Sequence, residues 1–319
     1  MRILLASAHR YPASGDNGVG PHPTDFPSAS GYHLHDLLAK GLAEEGHRVF
    51  YRLVRGSAAP APRGVTFVTG LPAEVDVCHS IAGPPGDADE VLAFAARYGK
   101  PCLLTCHMVR EGTRAAPNWV FVSRSHARAY GSGRIVVNGI DPNDYSFSET
   151  KDDYFLFMAA MNKACEKGID LALDLSRRKG FRLIVAGTAL DYETIHRIAS
   201  LCADAGADYR GDVRGRARAE LLAGARAVLF PSRLNEGCPL VILQAMLSGT
   251  PVISSNCGGS VDIVTPETGF LCSRPEEWDL AIDRAGEISP RRCRQIGLER
   301  YHYRRMVRDY LREYEREVA

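Results

Sequence analysis

Short, unbroken apolar runs alternate with segments whose apolar residues recur every three or four positions, almost from end to end of the chain. In the first half the runs are RILLASA, HRVFYRLV, VTFVTG, DVCHSI, PCLLTCH, WVFVSR and RIVVNGI; the helical patterns are YHLHDLLAKGLAEEG and DADEVLAFAARYG. Runs without polar alternation suit strands buried on both faces, and helices between them imply parallel pairing. The polar, turn-rich stretch NGIDPNDYSFSETKDD, residues 138–153, breaks this rhythm and reads as a linker. The alternation restarts with YFLFMAAM, FRLIVAG, AVLFPS and PVISS, interleaved with the helical KGIDLALDLSRRKG, YETIHRIASLCADAG, RARAELLAGARA and PLVILQAMLSG. From EEWDLAIDRAGEIS onward the pattern is helical to the last residue. An α/β protein of two Rossmann-like, doubly wound domains is predicted, covering residues 1–145 and 146–302. A final helix at about 303–319 would pack back on the first domain. Open parallel sheets bind ligands beyond the carboxyl ends of their strands, so two facing sheets predict a site in the cleft between them.

Composition narrows the partners. With 319 residues, 45% of them hydrophobic and 24% charged, the chain can bury two cores. A net charge of +1 offers no basic face for nucleic acid. The opening MRILLASAHRYPASGD is too short for a signal peptide and reads as a first strand. No stretch approaches the ~20 apolar residues that a membrane span needs. The nine cysteines lack paired CxxC spacing and lie mostly in apolar runs, as reduced core residues do. These features predict a soluble, cytoplasmic protein. The closing RYHYRRMVRDYLREYEREVA balances bases with acids, which suits a solvated or domain-bridging helix rather than membrane contact.

The chemistry concentrates in FPSRLNEGCPLVILQAMLSGTPVISSNCGGSVDIV, residues 230–264. A buried strand leads into the loop RLNEG, and Pro239 falls where a helix's first turn tolerates proline. The N–H groups of Gly237, Cys238 and Leu240 would then face an anion over the helix end. Glu236 beside an anion site is odd unless it accepts hydrogen bonds from a hydroxyl-rich group attached to that anion; a helix cap is the other reading. A diphosphate carrying a sugar has both properties.

Glu236, seven residues and then Gln244, followed by AMLSGTPVI and GGSVDIV, resembles the donor-binding motif of family four retaining glycosyltransferases. YFLFMAAMNKACEKGIDLALDLSRRKGFRLIVAG is similar to their strand, phosphate loop, Lys-Gly pair and helix. VFVSRSHARAYGSGRIVVNGID and LAKGLAEEGHRV match parts of their N-terminal domain, so the resemblance covers most of the chain. It implies a GT-B fold and a nucleotide-diphosphate sugar as donor, UDP-linked first and GDP-linked second. It further implies a hydroxyl acceptor, retention at the anomeric carbon, and no metal or other cofactor. Two positions depart from the pattern. Gln244 stands where the family has a second Glu on the ribose; an amide accepts from one hydroxyl and donates to the other, losing about 1 kcal/mol per charge-assisted bond. Asn162 stands where a phosphate-binding Arg is common, leaving Lys163 and Lys167 to hold the diphosphate. The loss of one cation there could cost about 3 kcal/mol, or a hundredfold in rate.

In the N-terminal half, small residues from Ser28 to Gly31 precede a helix where the family has a glycine pair near donor phosphate and acceptor. Which of Ala29, Ser30 and Gly31 replaces that pair stays open, as does an ordinary turn. His107 ends CLLTCH, where the family has a His near the donor sugar; a structural His is the alternative. Residues 12–31 and 107–116 would select the acceptor, and Asp262 matches an acidic position or only caps a helix. No hydrolase-type carboxylate pair, Asp-x-Asp after a strand, or Gly-x-Ser-x-Gly elbow is present. The rivals are an epimerase or phosphorylase on the same fold, and a non-catalytic binder of sugar nucleotides.

Overall fold

The computed structural model describes residues 1–13, 30–82, 88–108, 115–189 and 191–319. They divide into two compact units, Met1–Ile140 with His302–Ala319, and Asp141–Tyr301.

The first unit carries β1 (Arg2–Ser7), α1 (Ser30–Glu44), β2 (Arg48–Leu53), β3 (Val65–Val68), β4 (Val77–Ile81), α2 (Asp89–Tyr98), β5 (Cys102–Cys106), β6 (Trp119–Phe121) and α3 (Arg124–Ala129). The second begins with β7 (Phe155–Met158), α4 (Ile169–Lys179), β8 (Leu183–Ala186), α5 (Tyr192–Asp204), β9 (Asp208–Tyr209), α6 (Gly215–Gly224) and β10 (Ala227–Phe230). It continues through α7 (Leu240–Leu247), β11 (Val252–Ser255), α8 (Ser260–Ile263), β12 (Gly269–Cys272), α9 (Pro275–Arg284) and α10 (Pro290–Tyr301). The last helix, α11 (Tyr303–Val318), belongs to the first unit.

Each unit holds a six-stranded sheet, in the orders β3-β2-β1-β4-β5-β6 and β12-β11-β10-β7-β8-β9, and every pairing is parallel. Both are doubly wound. The order reverses between β1 and β4 in the first unit and between β7 and β10 in the second, which are the places where such sheets bind ligands. The unbroken apolar runs match strands covered on both faces: Ile3, Leu4 and Leu5 of β1 and Val228 of β10 are wholly buried. Such side chains each contribute about 1.5–3 kcal/mol of hydrophobic stabilisation.

RIVVNGI, expected as a strand, makes only isolated bridges, Ile135 with Phe121 and Ile140 with His302. Its later carbonyls are diverted: Arg305 Nη2 donates to those of Val137 and Asn138, at 2.7 and 2.8 Å. The edge piece β9 escapes a pattern reading because two residues carry no period, and the edge strand β12 is only partly covered, with Phe270 and Leu271 half-buried. The amphipathic α11 lies on α1, where Gly41 leaves room for Val307 and Tyr303; Tyr303 Oη donates to Glu44 at 2.7 Å. It also reaches the sheet, with the Tyr314 hydroxyl 2.6 Å from His79 Nδ1 and that of Tyr310 2.6 Å from Thr105.

Candidate functional site

Two loops leave the carboxyl ends of β7 and β10, on either side of the strand-order reversal in the second unit. After β7, residues 161–163 form one turn of 3-10 helix. Met161 is wholly buried beneath it, while Asn162 and Lys163 are exposed. The Lys167 N–H donates to the Lys163 carbonyl at 2.9 Å, folding both lysines into one short loop before α4. Gly168 closes the loop at φ 81°, where a Cβ would lie 2.1 Å from the Pro231 carbonyl oxygen. Only glycine lets this loop approach the strand end of β10 so closely.

The loop after β10 brings Glu236 to Lys167. Lys167 Nζ lies 2.6 Å from Glu236 Oε2, with the two side chains 17% and 22% exposed. Ser232 Oγ, itself buried, donates to Glu236 Oε1 at 2.9 Å. Lys167 Nζ also sits 5.7 Å from the Phe230 ring centroid. Below the loop the Cys257 thiol donates to the carbonyls of Ser232 and Leu234, at 3.4 and 3.7 Å; burial and then the Glu236 charge push its pKa up. Gly258 and Gly259 hold the main chain of the same loop. The Gly259 N–H donates to the Glu236 carbonyl at 2.7 Å, and a Cβ on Gly259 would fall 2.2 Å from the Gly237 carbonyl oxygen.

Glu236 therefore does not cap α7. The N-cap is Pro239, without a side-chain cap bond. The sequence placed Pro239 inside the first turn; its ψ of 111° is extended, so the helix begins one residue later at Leu240. Gly237, Cys238 and Pro239 are buried, which puts the approach to this helix end against the protein rather than on an open surface. Gln244 is half-buried beside the hydroxyl of buried Tyr145, whose pKa burial pushes up to about 12. A solvated face does not describe this position. Asp262 is the third residue of α8 and not its cap.

In the first unit His107 follows β5 directly, and a Cβ on Gly31 would lie 2.9 Å from its Cδ2. The structure thus brings Gly31 and His107 into contact. Ser30 opens α1, whereas Ser28, Ala29, most of 12–31 and much of 107–116 lie outside the described residues. Burial, and secondarily His126, pulls the His107 pKa down to about 4, so its imidazole is neutral at neutral pH.

Sequence reasoning missed the polar residues around it. Buried His35, one turn along α1 from Gly31, has no hydrogen-bond partner among the described residues on either ring nitrogen and packs edge-on to Tyr51 and His79, with centroids 5.7 and 5.2 Å apart. His9 Nε2 lies 2.9 Å from Asp36 Oδ1, which also accepts from Tyr51 Oη at 2.9 Å. The signal was present in GYHLHDLLAKGL: two polar side chains interrupt the apolar stripe of a helix. Among the described residues, which include all nine cysteines, no disulfide forms; Cys165 is exposed and Cys257 partly so. Among the described residues no three His, Cys, Asp or Glu side chains are placed to hold a metal, and no helix is long and apolar enough to cross a membrane.

Residues 152–286 match the family model described as glycosyl transferases group 1. The chain is 25% identical over 46% of its length to an uncharacterized glycosyltransferase of Methanocaldococcus jannaschii, covering 42% of that protein. It is 30% identical over 34% of its length to a GDP-mannose-dependent alpha-mannosyltransferase of Mycolicibacterium smegmatis, covering 28% of it. The matched part therefore spans less than half of either relative. Among solved structures, AviGT4, a glycosyltransferase involved in avilamycin A biosynthesis, superposes over 100% of this chain and 98% of its own, with TM-score 0.72 and 23% identity. HepE of Anabaena in complex with UDP superposes over 99% of this chain and 100% of its own, with TM-score 0.73 and 16% identity. These two likenesses are of fold.

Proposed function

We propose that the protein, whose residues 152–286 match the family model of group 1 glycosyl transferases and whose fold resembles GT-B enzymes, moves a sugar from a nucleotide-diphosphate donor to an acceptor hydroxyl with retained configuration. The observation that carries this reading is the Lys167–Glu236 contact of 2.6 Å, which joins a cation loop to a carboxylate loop at the strand-order reversal. In the proposed reaction the bond from the anomeric carbon to the terminal phosphate oxygen breaks. The acceptor oxygen bonds to that carbon on the same face, and its proton passes to the departing phosphate.

Lys167, helped by Lys163, stabilises the charge that grows on the diphosphate, a task oriented cations perform without metal. Glu236 accepts from hydroxyls of the transferred sugar, helped by the N–H groups of Gly237, Cys238 and Leu240. Gln244 holds the ribose, with Tyr145 behind it. Neutral His107 donates to a sugar hydroxyl, and the surface around Gly31 and His107 serves the acceptor.

The test is a calorimetric and thermal-shift panel of UDP, GDP, ADP, TDP and their common sugars. It includes both UDP, bound in the HepE structure, and GDP, the nucleotide named for the mannosyltransferase relative. Tight binding of one nucleotide, with slow release of diphosphate from its sugar form, is the expected result. Turnover without acceptor would favour an epimerase, and a requirement for inorganic phosphate a phosphorylase. The exposed Asn162, in place of a cation, motivates one further reading, a non-catalytic binder; binding without release across an acceptor panel would establish it.

A further inference from the structure

Arg233, three residues before Glu236, ties the carboxylate loop to the lysine loop. Its backbone N–H donates to the Glu166 carbonyl at 2.8 Å. Nη1 donates to the Cys165 carbonyl at 2.6 Å and to Asp170 Oδ1 at 2.8 Å, while Nη2 donates to Asp170 Oδ2 at 2.6 Å. Cys165 and Glu166 lie between Lys163 and Lys167, and Asp170 is in the first turn of α4. One residue of the carboxylate loop thus holds two carbonyls of the lysine loop and the helix that follows.

We propose that Arg233 is a positioning residue whose fork fixes the separation between the Lys163–Lys167 loop and Glu236, and so the fit of a diphosphate-linked sugar across them. This rests on the donor-site reading above. The geometry requires arginine: a planar guanidinium engages both oxygens of Asp170 and still reaches a carbonyl, whereas a lysine ammonium is a single point of contact. Stability is not the pair's main contribution, because Arg233 and Asp170 are 55% and 59% exposed and such pairs add little. Placement is another matter, since a displacement of about 1 Å between catalytic groups can cost a hundredfold in rate.

The experiment compares the wild type with Arg233→Gln, Arg233→Lys and the double variant Arg233→Gln/Asp170→Asn. Each is titrated with UDP and UMP, and with GDP and GMP, and its melting temperature is recorded. In Arg233→Gln, affinity for the matching diphosphate should fall about tenfold while the monophosphate changes less than about twofold, because only the second phosphate spans the two loops. Arg233→Lys should recover only part of the loss. The double variant, which removes both charges, should not recover it. Restored diphosphate binding in the double variant would show that Arg233 acts through charge alone and would overturn the proposal. Equal losses for mono- and diphosphate, accompanied by a large drop in melting temperature, would overturn it in favour of a general structural role. A wild type that binds no nucleoside diphosphate would overturn the donor-site reading, and the positioning role with it.

Discussion

In the proposed site Glu236 holds the Lys167 ammonium that a diphosphate would also engage, and this makes Glu236→Gln an informative perturbation. Lys167 Nζ is 2.6 Å from the carboxylate, and both groups are about four-fifths buried, at 17% and 22% exposure. Two anions sharing one ammonium stand ~5 Å apart, where unit charges repel by about 3 kcal/mol at an effective dielectric of ~20. Water and salt at a partly open site reduce that to about 1–1.5 kcal/mol. Replacing the carboxylate by an amide of the same shape should therefore tighten nucleoside diphosphate binding by about tenfold. Transfer should move the opposite way. An amide forms weaker bonds to sugar hydroxyls than a carboxylate, by about 1–2 kcal/mol, so the rate should fall roughly five- to thirtyfold. Glu236→Ala should tighten the diphosphate similarly and abolish transfer. Isothermal titration at low and high salt, beside initial rates of diphosphate release, measures both effects. Diphosphate affinity that is unchanged or weaker in Glu236→Gln would refute the competition argument.

Gln244→Glu should strengthen nucleotide binding by about 1 kcal/mol, roughly fivefold, because a carboxylate makes charge-assisted bonds to ribose hydroxyls; unchanged titration curves would remove Gln244 from the ribose. Gly168→Ala combines a positive φ with a Cβ 2.1 Å from a backbone oxygen, and should cost about 3 kcal/mol. A loss under about 1 kcal/mol in denaturant unfolding would show that the loop adapts. Burial holds the pKa of His79 down to about 3, that of His107 to about 4, and that of His35 well below its usual value. Below about pH 6.5 the unfolded chain binds protons that the folded chain refuses, so stability is full above that pH and declines as pH falls toward 4. His35→Leu should flatten this decline between pH 6.5 and 5; an unchanged slope of urea midpoint against pH would exclude His35 as a contributor.

Much of this protein can be read from local pattern. Apolar runs such as RILLAS and AVLF announce strands buried on both faces, and their alternation with helices requires parallel, doubly wound sheets. Glu236 and Gln244 stand out as polar side chains beside and within an apolar helical run, Lys163 and Lys167 only by the family resemblance, and the structure brings Lys167 and Glu236 into direct contact. Pattern alone could not show that RIVVNGI fails as a strand, because its carbonyls are taken by Arg305 of a helix more than a hundred residues away. Nor could it separate a capping role for Glu236 from a facing one, since that depends on Lys167 and Ser232 reaching the carboxylate. Arg233 and Asp170 are 63 residues apart and resemble any exposed charges until the fold places them 2.6–2.8 Å from one another. His35 and Asp36 on α1 become chemically distinct only when β1, β2 and β4 close over them. Periodicity is a local property, set by how side chains alternate around one element, so sequence determined the elements, the fold class and the candidate loops. Hydrogen-bond partners, burial and shifted protonation depend on groups that only chain topology brings within a few ångströms, and those the tertiary structure decided.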